Sequence, residues 1–329
     1  MAVYGWLLSA IFVFWLVSYG YGKRRVHRAE RTYRPAGRFV SVQGVKLHYT
    51  EAGEGRPVVF LHGGVLDGRD FDEALRLCAA GGRRALAFDR PGYGHSERPR
   101  GPRLTPMKQA ELIHEALKEL GIERPVIVGH SWSGLLALAY ALRYPEDTAG
   151  IVTLGGGMYK EGYPAGRWDP VSVLAVLPVL GDLALHALLA ALGPLAARGM
   201  LKATFAPEPV PQAYLRRALA LWLRPSQFKA NREDVLAFVP AAEALSPRYA
   251  EIRVPTVIVV GENDPFSTKE HSFRLHRELA GSRLMVLPDA AHMIPQHHPE
   301  ETAKAAELVF ALESEAGPSM ANRPQEPGA

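Results

Sequence analysis

Cysteine is almost absent from this chain: Cys78 is the only one in 329 residues. A single cysteine excludes an internal disulfide framework. No turn or neighbouring histidine flanks it, so Cys78 reads as a small buried residue on a helix rather than a nucleophile. Excess charge of one sign is scarce as well. Lys and Arg number 38 against 34 Asp and Glu, a net charge of +4, and much of the excess sits in Lys23-Arg24-Arg25 and Arg28. No basic stripe is left to track nucleic acid, which is excluded as a partner. Metal-ligand spacings are missing and no G-x-G-x-x-G follows a strand, so neither a metal nor a nucleotide cofactor is expected. What remains is globular composition, 47% hydrophobic and 22% charged, in a chain long enough for one large core or two modest ones.

Charge is also missing from residues 1–22, whose centre is Trp6-Leu7-Leu8-Ser9-Ala10-Ile11-Phe12-Val13-Phe14-Trp15-Leu16-Val17. About 20 such residues in a helix span the roughly 30 Å of bilayer hydrocarbon. Tyr4, Trp6, Tyr19 and Tyr21 fall near the ends, where amphipathic aromatics favour the headgroups. The expectation is a single-pass membrane anchor over residues 1–22, in contact with lipid, and a linker over 23–38 carrying Pro35 and Gly37. A cleaved signal peptide is the alternative, but its basic region would precede the apolar segment, and here the basic cluster follows it. By the positive-inside rule, Lys23, Arg24, Arg25 and Arg28 place the rest of the chain in the cytoplasm.

Beyond residue 38 the patterning changes. Phe39-Val40-Ser41-Val42 and Val45-Lys46-Leu47-His48-Tyr49-Thr50 flank Gln43-Gly44, as in a hairpin. Pro57-Val58-Val59-Phe60-Leu61 and Ala85-Leu86-Ala87-Phe88 are continuously apolar, as strands buried on both faces must be. Helices over 108–120, 134–143, 268–280 and 301–313 then alternate with strands at 126–128, 151–154, 256–260 and 283–287. This alternation predicts an α/β fold with a mostly parallel sheet covered by helices. Strand patterns stop over 155–250, where apolar helical segments are broken by Pro164, Pro170, Pro178, Pro194, Pro207, Pro209 and Pro211. The expected organisation is a core of 39–154 and 251–315 with a helical cap at 155–250. His186 in the cap reads as a satisfied groove histidine. Residues 316–329 are too polar to build a core and are expected to be disordered.

The chemistry points to one turn. In Val126-Ile127-Val128-Gly129-His130-Ser131-Trp132-Ser133-Gly134 a β-branched run meets helix-forming sequence, so a strand, a tight turn and a helix follow one another with Ser131 at the turn. Such a turn holds a hydroxyl clear of the sheet at a helix N-terminus. The G-x-S-x-G pattern is modified here, with Ser133 in the last position and glycine only at 134. Acyl transfer from serine needs a base, a group to orient it and donors for an oxyanion. His292 follows the last strand and Asp264 the strand before, both in loops at the same sheet edge. Gly64, in Leu61-His62-Gly63-Gly64-Val65, and Trp132 are the candidate oxyanion donors through their amides. Glu262 competes with Asp264. His271, His276, His297 and His298 compete with His292, but helical or solvent-facing positions suit them better. His62 is expected to brace its loop and His130 to be buried against the sheet.

Together these residues resemble the α/β-hydrolase fold superfamily over about Val40 to Leu312. The matching motifs occur in order: His62-Gly63-Gly64, Asp89-Arg90-Pro91-Gly92-Tyr93-Gly94-His95-Ser96, the turn at Ser131, and the Asp264 and His292 loops. The resemblance implies an eight-stranded, mostly parallel sheet, Ser131 as nucleophile, Asp264 as acid, His292 as base, and a lid inserted after the sixth strand. Ala291 replaces the usual glycine before the histidine. Within the superfamily the chain is similar to serine esterases, cofactor-free haloperoxidase relatives and proline iminopeptidases, although Val65-Leu66 breaks the iminopeptidase pattern. Haloalkane dehalogenases and epoxide hydrolases carry Asp where Ser131 stands. The implied activity is hydrolysis of a lipophilic carboxylic ester through an acyl-enzyme. A peptidase or carbon–carbon bond hydrolase on the same triad, or a non-catalytic binding protein, are the alternatives.

Overall fold

The computed structural model describes residues 2–99, 101, 104–163, 173, 175, 177 and 180–315. The tail 316–329 and most of the apolar stretch 171–179 lie outside the described residues. The chain opens with helix α1 (Ala2–Thr32), followed by the hairpin β1 (Arg38–Val42) and β2 (Val45–Ala52), in which Val42 faces Val45. Next come β3 (Arg56–Leu61), α2 (Asp72–Ala80), β4 (Arg83–Phe88), α3 (Pro106–Glu119), β5 (Val126–His130), α4 (Ser133–Arg143) and β6 (Gly150–Leu154). Helices α5 (Leu180–Ala191), α6 (Gly193–Phe205), α7 (Gln212–Leu221) and α8 (Pro225–Leu245) precede β7 (Thr256–Gly261). The fold closes with α9 (Thr268–Glu278), β8 (Arg283–Leu287) and α10 (Pro299–Glu315).

One eight-stranded sheet runs β1-β2-β4-β3-β5-β6-β7-β8. It is antiparallel at β1–β2 and β2–β4 and parallel elsewhere. Every residue of β5, β6 and β7 is buried, which explains their unbroken apolar runs. Ile113 of α3 and Leu135 and Leu138 of α4 pack on one face, and Leu75 of α2 with Val309 and Phe310 of α10 on the other. Capping begins α3 cleanly: Thr105 Oγ1 accepts from the Lys108 amide at 3.2 Å, with Pro106 in the first turn.

The N-terminal region departs from the sequence reading. A linker was expected over 23–38, but α1 continues unbroken to Thr32 and its second half docks on the cap. Ala29 and Tyr33 join an apolar cluster with Leu185, Leu201, Phe205 and Trp222. Arg25 donates to Leu189 O, Ala190 O and Leu219 O at 3.3, 3.2 and 3.1 Å, all carbonyls in the last turns of α5 and α7. Such carbonyls lack intrahelical partners, and a guanidinium among them also opposes the negative ends of two helix dipoles. A Cβ at Gly22 would overlap His186 O, so only glycine allows α1 to approach α5 this closely. Among the described residues, no single helix is long and apolar enough to cross a membrane.

Candidate active site

Ser131 sits between β5 and α4 with φ at 54°, a left-handed conformation that costs energy outside glycine. Its own backbone is pinned to hold it. The Ser131 amide donates to Leu154 O at 2.9 Å, and Ser131 O accepts from the Gly134 and Gly157 amides, each at 2.9 Å. Close approach dictates the small residues: a Cβ at Gly129 would overlap Ser133 O, and one at Gly134 would fall 2.7 Å from Gly156 Cα. Ser133, the departure from the usual glycine, is buried and donates its hydroxyl to His62 O at 2.6 Å. It ties the serine turn to the glycine loop after β3.

The loops after β7 and β8 bring their residues to this turn. His292 Nε2 lies 2.9 Å from Ser131 Oγ, and His292 Nδ1 lies 2.8 Å from Asp264 Oδ2. Because an ionised carboxylate only accepts, Nδ1 carries the proton and Nε2 is left to accept from the Ser131 hydroxyl. Burial of Asp264 by itself raises its pKa, but the charge and hydrogen bond of His292, together with the Phe266 amide donating to Oδ1 at 3.0 Å, hold it below the usual carboxylate range. Glu262 is exposed and takes no part. Gly64 and Trp132 line the same cavity as Ser131 and His292, and neither amide donates in the turn and loop hydrogen bonds of the described residues.

Behind the glycine loop lies a buried ionic network. Arg90, with no exposed surface, donates through Nε to His62 O and through Nη2 to Gly63 O, both at 2.9 Å. Its Nη1 reaches Gln109 Oε1 at 2.9 Å and Asp234 Oδ2, on cap helix α8, at 2.7 Å. Asp234 also accepts from Arg98 at 2.9 Å, Gln109 at 3.0 Å and Tyr93 Oη at 3.0 Å, and its carbonyl accepts from Trp132 Nε1 at 3.1 Å. The guanidinium of Arg90 lies 4.4 Å from the Tyr93 ring centre and 4.3 Å from that of Trp132. Neither Arg90 nor Asp234 was singled out as a site residue in the sequence. Arg90 stands inside the Asp89–Ser96 motif, whereas a lone Asp in a polar helix carries no signal.

The other histidines divide. His62 is buried, with Nδ1 on Gly63 O and Nε2 accepting from the Arg90 amide, each at 2.9 Å. Burial, then the charge of Arg90, lowers its pKa to about 3, so it braces the loop as a neutral ring. His130 is also buried, reaches His292 O at 2.9 Å through Nε2, and is lowered to about 3 by burial and then by His292. His271 lies on a helix, α9, as expected, but it is not solvent-facing: it is buried beside the cavity, accepting from the Met158 amide at 3.2 Å and bonding Glu161 O at 2.7 Å. The run of turns after β6 needed those backbone partners, which periodicity cannot reveal. His276 is exposed and pairs with Ser282, and His298 pairs with Glu208 at 3.0 Å. His186 packs edge-on against Tyr19 of α1, but its Nδ1 has no hydrogen-bond partner among the described residues, so it is not the satisfied residue expected. Cys78 is buried on α2 with its pKa raised to about 12, chiefly by burial, and is inert.

A cavity of about 610 Å³ opens over Ser131, walled by Val65, Met200, Trp222, Val235, Phe266 and Met293. Among the described residues no cluster of three or more His, Cys, Asp or Glu is placed to hold a metal ion. A family profile described as the alpha/beta hydrolase family matches residues 58–305. The chain belongs to that family. This hydrolase is 26% identical over 296 residues to a 2-hydroxy-6-oxononadienedioate/2-hydroxy-6-oxononatrienedioate hydrolase of Klebsiella pneumoniae, covering 82% of this chain and 93% of that one. It is 26% identical over 263 residues to a 2-hydroxy-6-oxo-6-phenylhexa-2,4-dienoate hydrolase of Burkholderia cepacia, covering 77% and 87% of the two chains. Its fold is shared with an enol-lactonase from Burkholderia xenovorans LB400, with a TM-score of 0.66 at 22% identity over 83% of this chain and 100% of that one.

Proposed function

We propose that this hydrolase cleaves a carbon–carbon bond beside a ketone, with Ser131 as nucleophile, His292 as base and Asp264 as the orienting acid. The observation that carries the reading is the hydrogen-bonded chain from Asp264 Oδ2 through His292 to Ser131 Oγ at the floor of the cavity. His292 takes the serine proton as Oγ adds to the keto carbon, and the Gly64 and Trp132 amides receive the oxyanion. With the substrate in the tautomer that carries a carbonyl at its 2-position, collapse breaks the carbon–carbon bond, the electron pair leaves as a dienolate conjugated to that carbonyl, and the imidazolium returns its proton to the dienolate. Water, deprotonated by His292, then hydrolyses the acyl-serine. Ester hydrolysis runs through the same steps with oxygen leaving instead of carbon, which is why composition and motif alone favoured an esterase. The bond class here rests on the two relatives named for 2-hydroxy-6-oxo acids. Measuring kcat/KM on a 2-hydroxy-6-oxo-dienoate against p-nitrophenyl esters tests it. Faster turnover of every ester than of the 2-hydroxy-6-oxo-dienoate would return the assignment to a carboxylesterase.

The reading includes a membrane location. Trp6, Phe12, Phe14, Leu16 and Val17 on the free half of α1 are exposed, between 55% and 79% of their surface, which favours insertion into lipid. The basic cluster that follows favours a cytoplasmic catalytic domain, and the apolar walls of the cavity, Val65, Met200, Trp222, Phe266 and Met293, favour a lipophilic substrate. Flotation of the full chain with phosphatidylcholine vesicles, against a chain lacking residues 1–22, tests the anchor; equal flotation would reject it.

A further inference from the structure

Where α1 docks on the cap it leaves a crevice of about 360 Å³ between itself, α5 and α7. Leu189, Leu219 and Leu223 form an apolar floor, and Arg25, Arg28 and Arg216 stand among the lining residues. Among the described residues no carboxylate lines it. Arg25 is committed to the helix-end carbonyls. Arg28 and Arg216 are exposed and have no ion pair or hydrogen bond among the described residues. Two uncommitted guanidinium groups beside an apolar floor match an amphiphile with an anionic head, since planar guanidinium forks suit phosphate oxygens and the leucines suit an acyl chain. Arg28 lies about 1.7 helical turns beyond Gly22, the expected end of the apolar segment, close to where lipid headgroups would lie around such an anchor.

We propose that this crevice binds one anionic phospholipid, its phosphate held by Arg28 and Arg216 and its acyl chain laid along Leu189, Leu219 and Leu223. The bound lipid would bridge α1 to α7 of the cap and fix their packing. The placement of the lipid in a bilayer rests on the anchor reading above; the binding chemistry does not. The test uses the full chain in neutral detergent with short-chain phosphatidylglycerol, short-chain phosphatidylcholine or inorganic phosphate, each below the lipid's micellar concentration, and follows thermal midpoint and affinity. Phosphatidylglycerol should raise the midpoint saturably while phosphatidylcholine and phosphate do not. The double variant Arg28→Ala/Arg216→Ala, altered only at exposed side chains, should keep wild-type hydrolysis of a water-soluble substrate and bind phosphatidylglycerol roughly 10- to 30-fold more weakly. An unchanged affinity in that variant, or an equal response to phosphatidylcholine, would overturn the site, and an equal response to phosphate would overturn the lipid. Failure of flotation on phosphatidylcholine vesicles would reject the anchor while leaving this result standing.

Discussion

Asp234→Asn removes the charge on which four side-chain donors, from Arg90, Arg98, Gln109 and Tyr93, converge inside the protein. Its side chain is 1% exposed and that of Arg90 is fully buried, so solvent cannot replace what is lost. Breaking one partner of such a pair costs about 3–5 kcal/mol, because a buried cation is left uncompensated and the new amide hydrogens face existing donors. Stability should therefore fall by about that amount in urea denaturation. Arg90 also holds the His62 and Gly63 carbonyls, so the loop bearing Gly64 should relax and kcat drop about 10- to 100-fold with KM little changed. Combining Asp234→Asn with Arg90→Met separates the two effects. Stability should partly return, with a coupling energy of at least about 2 kcal/mol, since the fully buried guanidinium is gone and Arg98 keeps Glu233 as its partner, while kcat should stay low. Additive stability losses, or a single variant within about 1 kcal/mol of wild type and unchanged in kcat, would refute the reasoning.

Ser131→Ala and His292→Ala should each lower kcat by several orders of magnitude, and together by little more, while Glu262→Ala should be mild; single-turnover assays check this. Acid should destabilise the fold. His62 and His130 stay neutral in the native state down to about pH 3 but titrate near 6.5 when unfolded, so the unfolded chain binds more protons in that window. Thermal midpoints should thus fall as pH drops from about 6.5 towards 3, and a flat profile would contradict the assignment. Ser133→Ala leaves the His62 carbonyl one buried donor short and should cost about 1–2 kcal/mol in denaturation, with a loss below about 0.3 kcal/mol arguing against the bond.

The sheet was legible in the sequence because strands buried on both faces leave continuous apolar runs, and the hairpin because Gln43-Gly44 separates two strand patterns. The convergence of Ser131, Asp264 and His292 was legible because each follows a strand that ends at one edge, so strand order brings them near one another. The role of Ser133 was not: its hydroxyl matters only because His62 O happens to lie 2.6 Å away. Asp234 was hidden for the same reason, its partners being 125 to 144 residues away in Gln109, Tyr93 and Arg90. The second half of α1 was misread as a linker because its helix-forming face is short and its partners, the ends of α5 and α7, lie far along the chain.

The grip of Arg25 on α5 and α7 sets which part of the molecule is stationary. Helix α1 belongs with the cap, because its guanidinium, its Gly22 contact and Ala29 all meet that side. A surface that holds α1 therefore holds the cap directly, and the sheet with Ser131 through the Arg90–Asp234 network and the short segment before β1. Tethering this enzyme through α1 to a bead or a sensor chip would attach it by the cap, whereas attachment through α10, which packs on the sheet, would hold it by the opposite body.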